Sequence, residues 1–262
     1  MPGSWMRKLG RTGLQVSALG LGTVKLGRDR AVKYPRPFQI PDDAAAAALL
    51  HRALGLGINL LDTAPAYGTA EERLGRLLAS GRDRWVIGTK AGEEFDAATG
   101  ESRYDFSPGA ISASLDRSLQ RLRTDRVEIV LLHSDGRDAW IIEESGALGA
   151  LEAAKARGKV RAIGISTKTP LGAHAAIHTG RFDVVMLTLN PRERDDLPAL
   201  HAAHARGIGV LIKKPLAGGH ASAAESLRFV LGEPGVSAAI VGTIDPAHLE
   251  ANVKAASEAL EA

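Results

Sequence analysis

Cysteine is absent from the 262 residues, which removes disulfides, thiolate metal sites and cysteine nucleophiles together. Aromatics are scarce at 4%, so the core has to come from Ala, Leu, Val and Ile. No long apolar run is present. The longest, residues 44–50, falls far short of the ~20 residues that span a bilayer. Residues 1–10 hold no apolar stretch of the signal-peptide kind. With neither membrane span nor export signal, the expected compartment is the cytoplasm. A large charge surplus is also missing. The 33 Lys+Arg against 30 Asp+Glu leave +3, spread along the chain, which gives no electrostatic footprint for nucleic acid. Nothing in the residues specifies an oligomer. What the chain does have is 45% apolar and 24% charged residues, the proportions of a folded protein rather than a disordered or fibrous one.

Short, apolar, branched segments alternate with longer helical patterns. Residues 58–61, 85–89, 127–132, 160–165, 184–189, 208–212 and 238–241 read as strands covered on both faces, with 19–22 as the first strand. Helices are expected at 42–55, 70–79, 108–122, 144–157, 170–178, 195–206, 221–231 and 246–260. Ser107-Pro108 and Asp245-Pro246 each set a capping residue before a proline suited to the first turn. Gly55, Gly158, Gly180 and Gly207 follow helical runs, where a left-handed residue is expected. Eight strands, each followed by a helix, predict an α/β fold, a closed (β/α)8 TIM barrel forming one domain over 1–262. An open doubly wound sheet is the runner-up. Residues 6–18 read as a β-hairpin capping the bottom of the barrel.

Loop lengths point to one face. Connections into strands are short, whereas those leaving strands are long, at 23–41, 90–107, 133–143 and 213–220. In a barrel the long set gathers at the C-terminal ends of the strands, where active sites lie. Loop 23–41 carries Pro35, Pro37 and Pro41 with Lys25, Arg28, Arg30, Lys33 and Arg36. It reads equally as a lid or as a solvated loop.

Asp62 follows the second strand, Tyr67 lies five residues later, Lys90 closes the third strand and His133 the fourth. Any one alone would be structural, since a single Asp or Lys at a strand end usually caps or pairs. Three consecutive strands instead deliver an acid, a phenol, an amine and an imidazole to one rim. A free phenol is a poor proton donor at neutral pH. A nearby ammonium is expected to lower its pKa, and a carboxylate to keep that ammonium charged and in place. Asp62, Lys90 and Tyr67 therefore read as a relay that makes Tyr67 a general acid, with His133 donating to and orienting the same oxygen. The set lacks a nucleophile or a metal cluster. It suits protonation of an oxygen while another group supplies a hydride.

These residues sit in segments that resemble the aldo-keto reductases over essentially the whole chain. The resemblance is carried by Leu9-Gly10-Arg11-Thr12-Gly13-Leu14, Leu19-Gly20-Leu21-Gly22-Thr23, and Asp62-Thr63-Ala64-Pro65-Ala66-Tyr67-Gly68. It continues through Glu71-Glu72-Arg73-Leu74-Gly75, Lys90, Leu131-Leu132-His133, Gly158–Ser166 and Lys214-Pro215-Leu216-Ala217-Gly218-Gly219. It implies a catalytic tetrad of Asp62, Tyr67, Lys90 and His133. It also implies hydride transfer from NADP(H), with NAD(H) possible, to an aldehyde or ketone. The cofactor site it implies comprises Gly22, Thr23, Asp62, Ser166, Thr167, Lys213, Pro215, Leu216, Gly218, Thr243, His248 and Asn252. No metal is implied. Several positions depart from the family pattern. Its carboxamide-binding Ser-Asn pair appears as Ser166-Thr167, its glutamine on the sixth strand falls at Met186, and its stacking tyrosine falls near Lys213. Gly242 and His248 stand where the family often has cations for a 2′-phosphate. The segment after the seventh strand is short, so no long belt is expected and cofactor exchange should be rapid.

Other signals carry less. Gly20-Leu21-Gly22-Thr23-Val24-Lys25 begins like a dinucleotide fingerprint, but no third glycine and no helix follow. His174 with His178, and His201 with His204, read as helix-surface pairs rather than zinc ligands. Trp140 reads as a pocket wall or a loop anchor, and Tyr34 and Tyr104 lie in loops near the rim. Two alternatives stand beside a carbonyl reductase: a cofactor-binding redox sensor with little turnover on the same barrel, and an aldolase or isomerase using Lys90 as a Schiff base.

Overall fold

The computed structural model describes residues 5–32 and 34–261, so Lys33 of the 23–41 loop lies outside the described residues. The chain opens with β1 (Met6–Lys8) and β2 (Gln15–Ser17), an antiparallel hairpin, and then enters the barrel at β3 (Leu19–Gly22). There follow α1 (Asp43–Gly55), β4 (Leu60–Asp62), α2 (Ala70–Leu77) and β5 (Val86–Ala91). A second hairpin, β6 (Glu93–Asp96) and β7 (Glu101–Tyr104), precedes α3 (Pro108–Leu122). The rest alternates: β8 (Val127–His133), α4 (Asp138–Glu143), α5 (Ala147–Ala156), β9 (Val160–Ser166), α6 (Pro170–Thr179) and β10 (Val184–Thr188). The chain ends with α7 (Leu197–Ala205), β11 (Gly209–Lys213), α8 (Ala223–Gly232), β12 (Val236–Val241) and α9 (Pro246–Glu261). Strands β3, β4, β5, β8, β9, β10, β11 and β12 close into one parallel barrel, sealed where Ala239, Ile240 and Val241 pair with Leu19, Gly20 and Leu21.

Helix starts obey the capping expectations. Ser107 accepts from the Ala110 amide at 3.4 Å ahead of Pro108, and Asp245 accepts from the Ala247 amide at 2.8 Å. One helix end differs from expectation: Gly55 stays inside α1, and Gly57 takes the left-handed conformation at φ 78°.

Two apolar layers hold the molecule. The larger lies between strands and helices. The smaller fills the barrel, where Leu60, Ile129, Val184, Met186 and Leu211 meet Leu9, Leu14 and Val16 of the hairpin. Leu9 and Val16 are fully buried, so the hairpin plugs the N-terminal end and leaves the opposite mouth free. Met186 is part of this interior layer rather than of the rim. Among the described residues no helix is long and apolar enough to cross a membrane.

Candidate active site

Asp62 ends β4, Lys90 lies near the end of β5 and His133 ends β8, so parallel pairing sets all three at one mouth. Tyr67 arrives on a short turn, Pro65–Tyr67. Gly68 closes that turn at φ 63°, and a side chain there would collide with the Gly27 carbonyl oxygen. Arg28 braces the turn through a 2.9 Å bond to the Ala66 carbonyl.

Lys90 is 1% exposed. Its ammonium donates to Asp62 Oδ1 at 2.6 Å, to the Thr63 carbonyl at 3.0 Å and to Tyr67 Oη at 3.0 Å. All three donors are thereby used. Because the phenol oxygen accepts from Lys90, the phenol hydrogen is left for Asp62 Oδ2, at a long 3.3 Å, or for an incoming acceptor. One expectation is corrected here. Burial, followed by the Asp62 carboxylate, holds the Tyr67 phenol well above its ordinary value rather than below it. Tyr67 keeps its proton throughout the neutral range.

His133 stands edge-on to Tyr67, with ring centroids 6.3 Å apart. Its Nδ1 lies 2.9 Å from Glu93 Oε2, although the N–H is not aligned on that oxygen. The contact is a close approach rather than a directed hydrogen bond. Burial pushes the imidazole down, against the upward pull of Glu93, so the ring is neutral at pH 7. Burial pushes Glu93 up, but its contacts with His133, Ser102 and Tyr104 outweigh this and hold it at about 2.

Beside these groups opens a cleft of about 810 Å³. Gly22, Asp62 and Tyr67 form one wall, and Lys213, Pro215, Leu216 and Gly218 a second. Thr243, His248 and Asn252 form a third. Most of the expected cofactor residues therefore share one cleft. Ser166 and Thr167 do not line it but are tied to Lys213, whose ammonium donates to Ser166 Oγ at 3.0 Å and to the Thr167 carbonyl. Thr23 does not join them, because it is fully buried and its hydroxyl donates to the Asp62 carbonyl at 3.0 Å. It steadies the strand end that carries Asp62.

The fourth wall is the 23–41 loop, through Lys25, Tyr34, Pro35, Arg36 and Phe38. The Lys25 ammonium lies 4.2 Å from the Tyr34 ring centroid and 5.0 Å from that of Phe38. Arg73 of α2 fastens both ends of this loop, donating to the Leu26 carbonyl at 2.5 Å and the Pro41 carbonyl at 2.7 Å. The segment after β11 is short, a single turn at Ala217–Gly219. The opposing loop nevertheless reaches it: a Cβ built on Gly219 would meet Pro35 at 3.5 Å, and one on Gly242 would meet Tyr34 Oη at 3.3 Å. The segment after β11 thus forms no long belt, and the 23–41 loop stands opposite it.

Lys25, Arg36, Lys213 and Lys214 line the cleft, and the one carboxylate among the described lining residues, Asp62, is already bound to Lys90. Burial, reinforced by Lys214, pushes Lys213 down to about 8. The Thr167 hydroxyl is buried without a partner. Excess cations and an orphaned hydroxyl fit an anionic, hydrogen-bonding occupant such as a dinucleotide.

Sequence reasoning missed Glu93 at His133 and left Tyr34 undecided. Glu93 falls only three residues after Lys90, but its approach to His133 depends on the β6–β7 hairpin. Trp140 lies on α4, edge-on to Phe106 at 6.5 Å and under the Arg137 guanidinium at 4.5 Å.

Residues 18–226 match the profile of the Aldo/keto reductase family. The chain is 34% identical over 227 residues to L-galactose dehydrogenase of Arabidopsis thaliana, covering 82% of this chain and 66% of that protein. It is 32% identical over 223 residues to D-threo-aldose 1-dehydrogenase of a Pseudomonas species, covering 75% and 65%. The chain thus spans just under two thirds of the length of these two curated relatives. A solved structure from Pseudomonas aeruginosa, provisionally described as an aldo-keto reductase, superposes with a TM-score of 0.89 at 51% identity, covering 97% of this chain and 95% of that one.

Proposed function

The chain belongs to the aldo/keto reductase family, and from there we propose that it reduces an aldehyde or ketone to the alcohol, with Tyr67 as the general acid. A nicotinamide dinucleotide, when held in the cleft, would supply the hydride. Tyr67 supplies the proton to the carbonyl oxygen. Its raised pKa is compatible with that role, because an alkoxide forming on the substrate is a far stronger base than phenolate. The ammonium of Lys90, 3.0 Å from the phenol oxygen, offsets the negative charge left there. Asp62 holds the ammonium in place, and His133 contacts and orients the substrate oxygen.

The supporting observation is the single ammonium of Lys90 bridging Asp62 and Tyr67 at the open mouth. For the dinucleotide, Lys213, Lys214, Pro215, Leu216 and Gly218 would hold one side, with Thr243 and Asn252 on the other. NADP(H) is the first choice, with Arg36 in the cleft as a cation for a 2′-phosphate. Gly242 and His248 at the expected phosphate positions make NAD(H) the alternative. The cytoplasm is the compartment that provides such a reductant. Both curated relatives are named for sugar oxidation, so aldoses belong among the first substrates to try. A Schiff-base role for Lys90 is disfavoured, since its three donors are engaged and Asp62 pairs with it.

Oxidation of NADPH and of NADH is measured with a panel of aldehydes and ketones, and reduction of NADP⁺ and of NAD⁺ with aldoses. Tyr67→Phe is expected to lose about 100- to 10,000-fold in kcat while binding cofactor as before. Full activity in Tyr67→Phe would remove the assignment. Cofactor binding without turnover on any carbonyl would favour the sensor, a role the altered Thr167, Met186 and Lys213 positions would suit.

A further inference from the structure

Lys213 departs furthest from what the resemblance leads one to expect, and its surroundings are unusual for a lysine. It ends β11, two strands away from β9. Its side chain nevertheless crosses the mouth to donate to Ser166 Oγ at 3.0 Å and to the Thr167 carbonyl. Ser166 is the register partner of His133 on the neighbouring strand. The ammonium is thereby drawn beside the reacting groups rather than out to solvent.

Two of its three donors are used, and one remains. Among the described residues no carboxylate lies within 4 Å of it. The charged or titratable groups that face it are Lys214 next in the chain, Asp196 before α7, Asp138 at the start of α4, Lys90 on β5 and His133 on β8. Asp138 is engaged elsewhere, and so is one oxygen of Asp196, whose Oδ1 is left without a hydrogen-bond partner. Asp196 accepts from the Thr188 amide at 2.9 Å, and Asp138 from the Thr169 amide and hydroxyl at 3.0 and 2.6 Å. The result is a half-buried cation without a contacting counter-ion, on one wall of the cleft and bonded to the Thr167 carbonyl, whose own side-chain hydroxyl is orphaned.

Building on the proposed function, we infer that Lys213 distinguishes the two oxidation states of the dinucleotide, favouring the reduced form, whose nicotinamide ring is uncharged, over the oxidised form, whose ring is a cation. Lys213 lines the same cleft as Tyr67 and acts electrostatically on His133, so a ring placed to reduce a carbonyl there would share the cleft with this ammonium. Two like charges a few ångströms apart in a partly desolvated site repel with an energy on the order of a tenfold change in affinity or more. The free donor of Lys213 and the Thr167 hydroxyl are suited to the ring's carboxamide, which both forms carry. They add affinity without discrimination. Burial and Lys214 hold the ammonium at about 8, so the preference is present at pH 7 and fades as pH rises through about 8, where the amine becomes neutral.

The test measures dissociation constants of NADPH and NADP⁺, or of the NADH pair if that binds more tightly, without substrate. Wild type, Lys213→Met, Lys213→Gln and Lys213→Arg are compared at pH 7, and wild type again at pH 9. The oxidised-to-reduced ratio of dissociation constants is expected to fall on the order of tenfold in Lys213→Met and Lys213→Gln. Lys213→Arg should keep it, and wild type at pH 9 should approach the neutral variants. Lys213→Gln, which retains hydrogen bonding, decides the matter if Lys213→Met does not fold. A ratio unchanged between wild type and Lys213→Gln overturns the inference. So does an effect confined to the KM of carboxylate-bearing substrates, which would assign the ammonium to a substrate anion. Failure of wild type to bind either dinucleotide would overturn the proposed function itself, a distinguishable result.

Discussion

Glu93 ties His133 to a hairpin that carries none of the other groups gathered at the mouth. Its carboxylate, 2.9 Å from Nδ1, raises the imidazole against the larger downward effect of burial. In Glu93→Gln the upward pull disappears while a polar side chain of the same size remains. His133 should then titrate lower than in wild type, where it already lies below its ordinary value of 6.5. NMR titration of the ring protons reads this directly, and an unchanged or higher midpoint would contradict it. The carboxyl itself has a second consequence. Held at about 2 instead of 4.5, it contributes stability that is fully present above pH 4.5 and lost as pH falls through about 2. By linkage this is worth up to roughly 3 kcal/mol. Urea unfolding at pH 7 and pH 3 should show a smaller pH-dependent loss in Glu93→Gln than in wild type.

Arg73 decides whether the 23–41 loop is a wall or a loose segment. Its side chain is 7% exposed, and its guanidinium meets Leu26 and Pro41 as well as Asp43 at 2.8 Å. Truncation leaves two carbonyls without their donor, a cost of about 1–3 kcal/mol each where they stay buried. Arg73→Ala should therefore lower the urea midpoint and speed proteolysis within residues 28–40, and equal cleavage rates would show that the ends are held otherwise. These contacts were not legible in the residues, because they join a helix to both ends of a loop of unspecified path. The barrel strands were legible. Leu19–Gly22 was read at its observed bounds, and the others within one or two residues, since parallel strands buried on both faces are written as apolar runs. The β6–β7 hairpin was not, because Glu93–Asp96 and Glu101–Tyr104 are mostly polar. Expected helix 144–157 is α5 alone, with α4 turning separately before it. That Asp62, Lys90 and His133 gather at one mouth was readable because strand ends declare themselves. The sign of the Tyr67 shift was not, since it depends on burial that spacing alone does not report.

The packed hairpin and the proposed site occupy opposite ends of the barrel. Leu9, fully buried, fills the bottom of the barrel, so Leu9→Ala should cost about 2–5 kcal/mol and leave cofactor dissociation constants unchanged. At the other end charge dominates. The chain as a whole carries only +3 over 262 residues, too little to steer an anion. The cleft differs, because Lys25, Arg36, Lys213 and Lys214 line it and the one carboxylate among its described lining residues is neutralised by Lys90. A local field of this kind attracts phosphate groups and is screened by salt within about 10 Å at 0.1 M. Dinucleotide affinity should thus weaken several-fold between about 50 and 500 mM salt. Arg36→Ala and Lys25→Ala should each flatten that dependence, and a remote surface substitution such as Lys254→Ala should not. Equal salt slopes in all three variants would mean that the overall charge, and not the cleft, draws the ligand in.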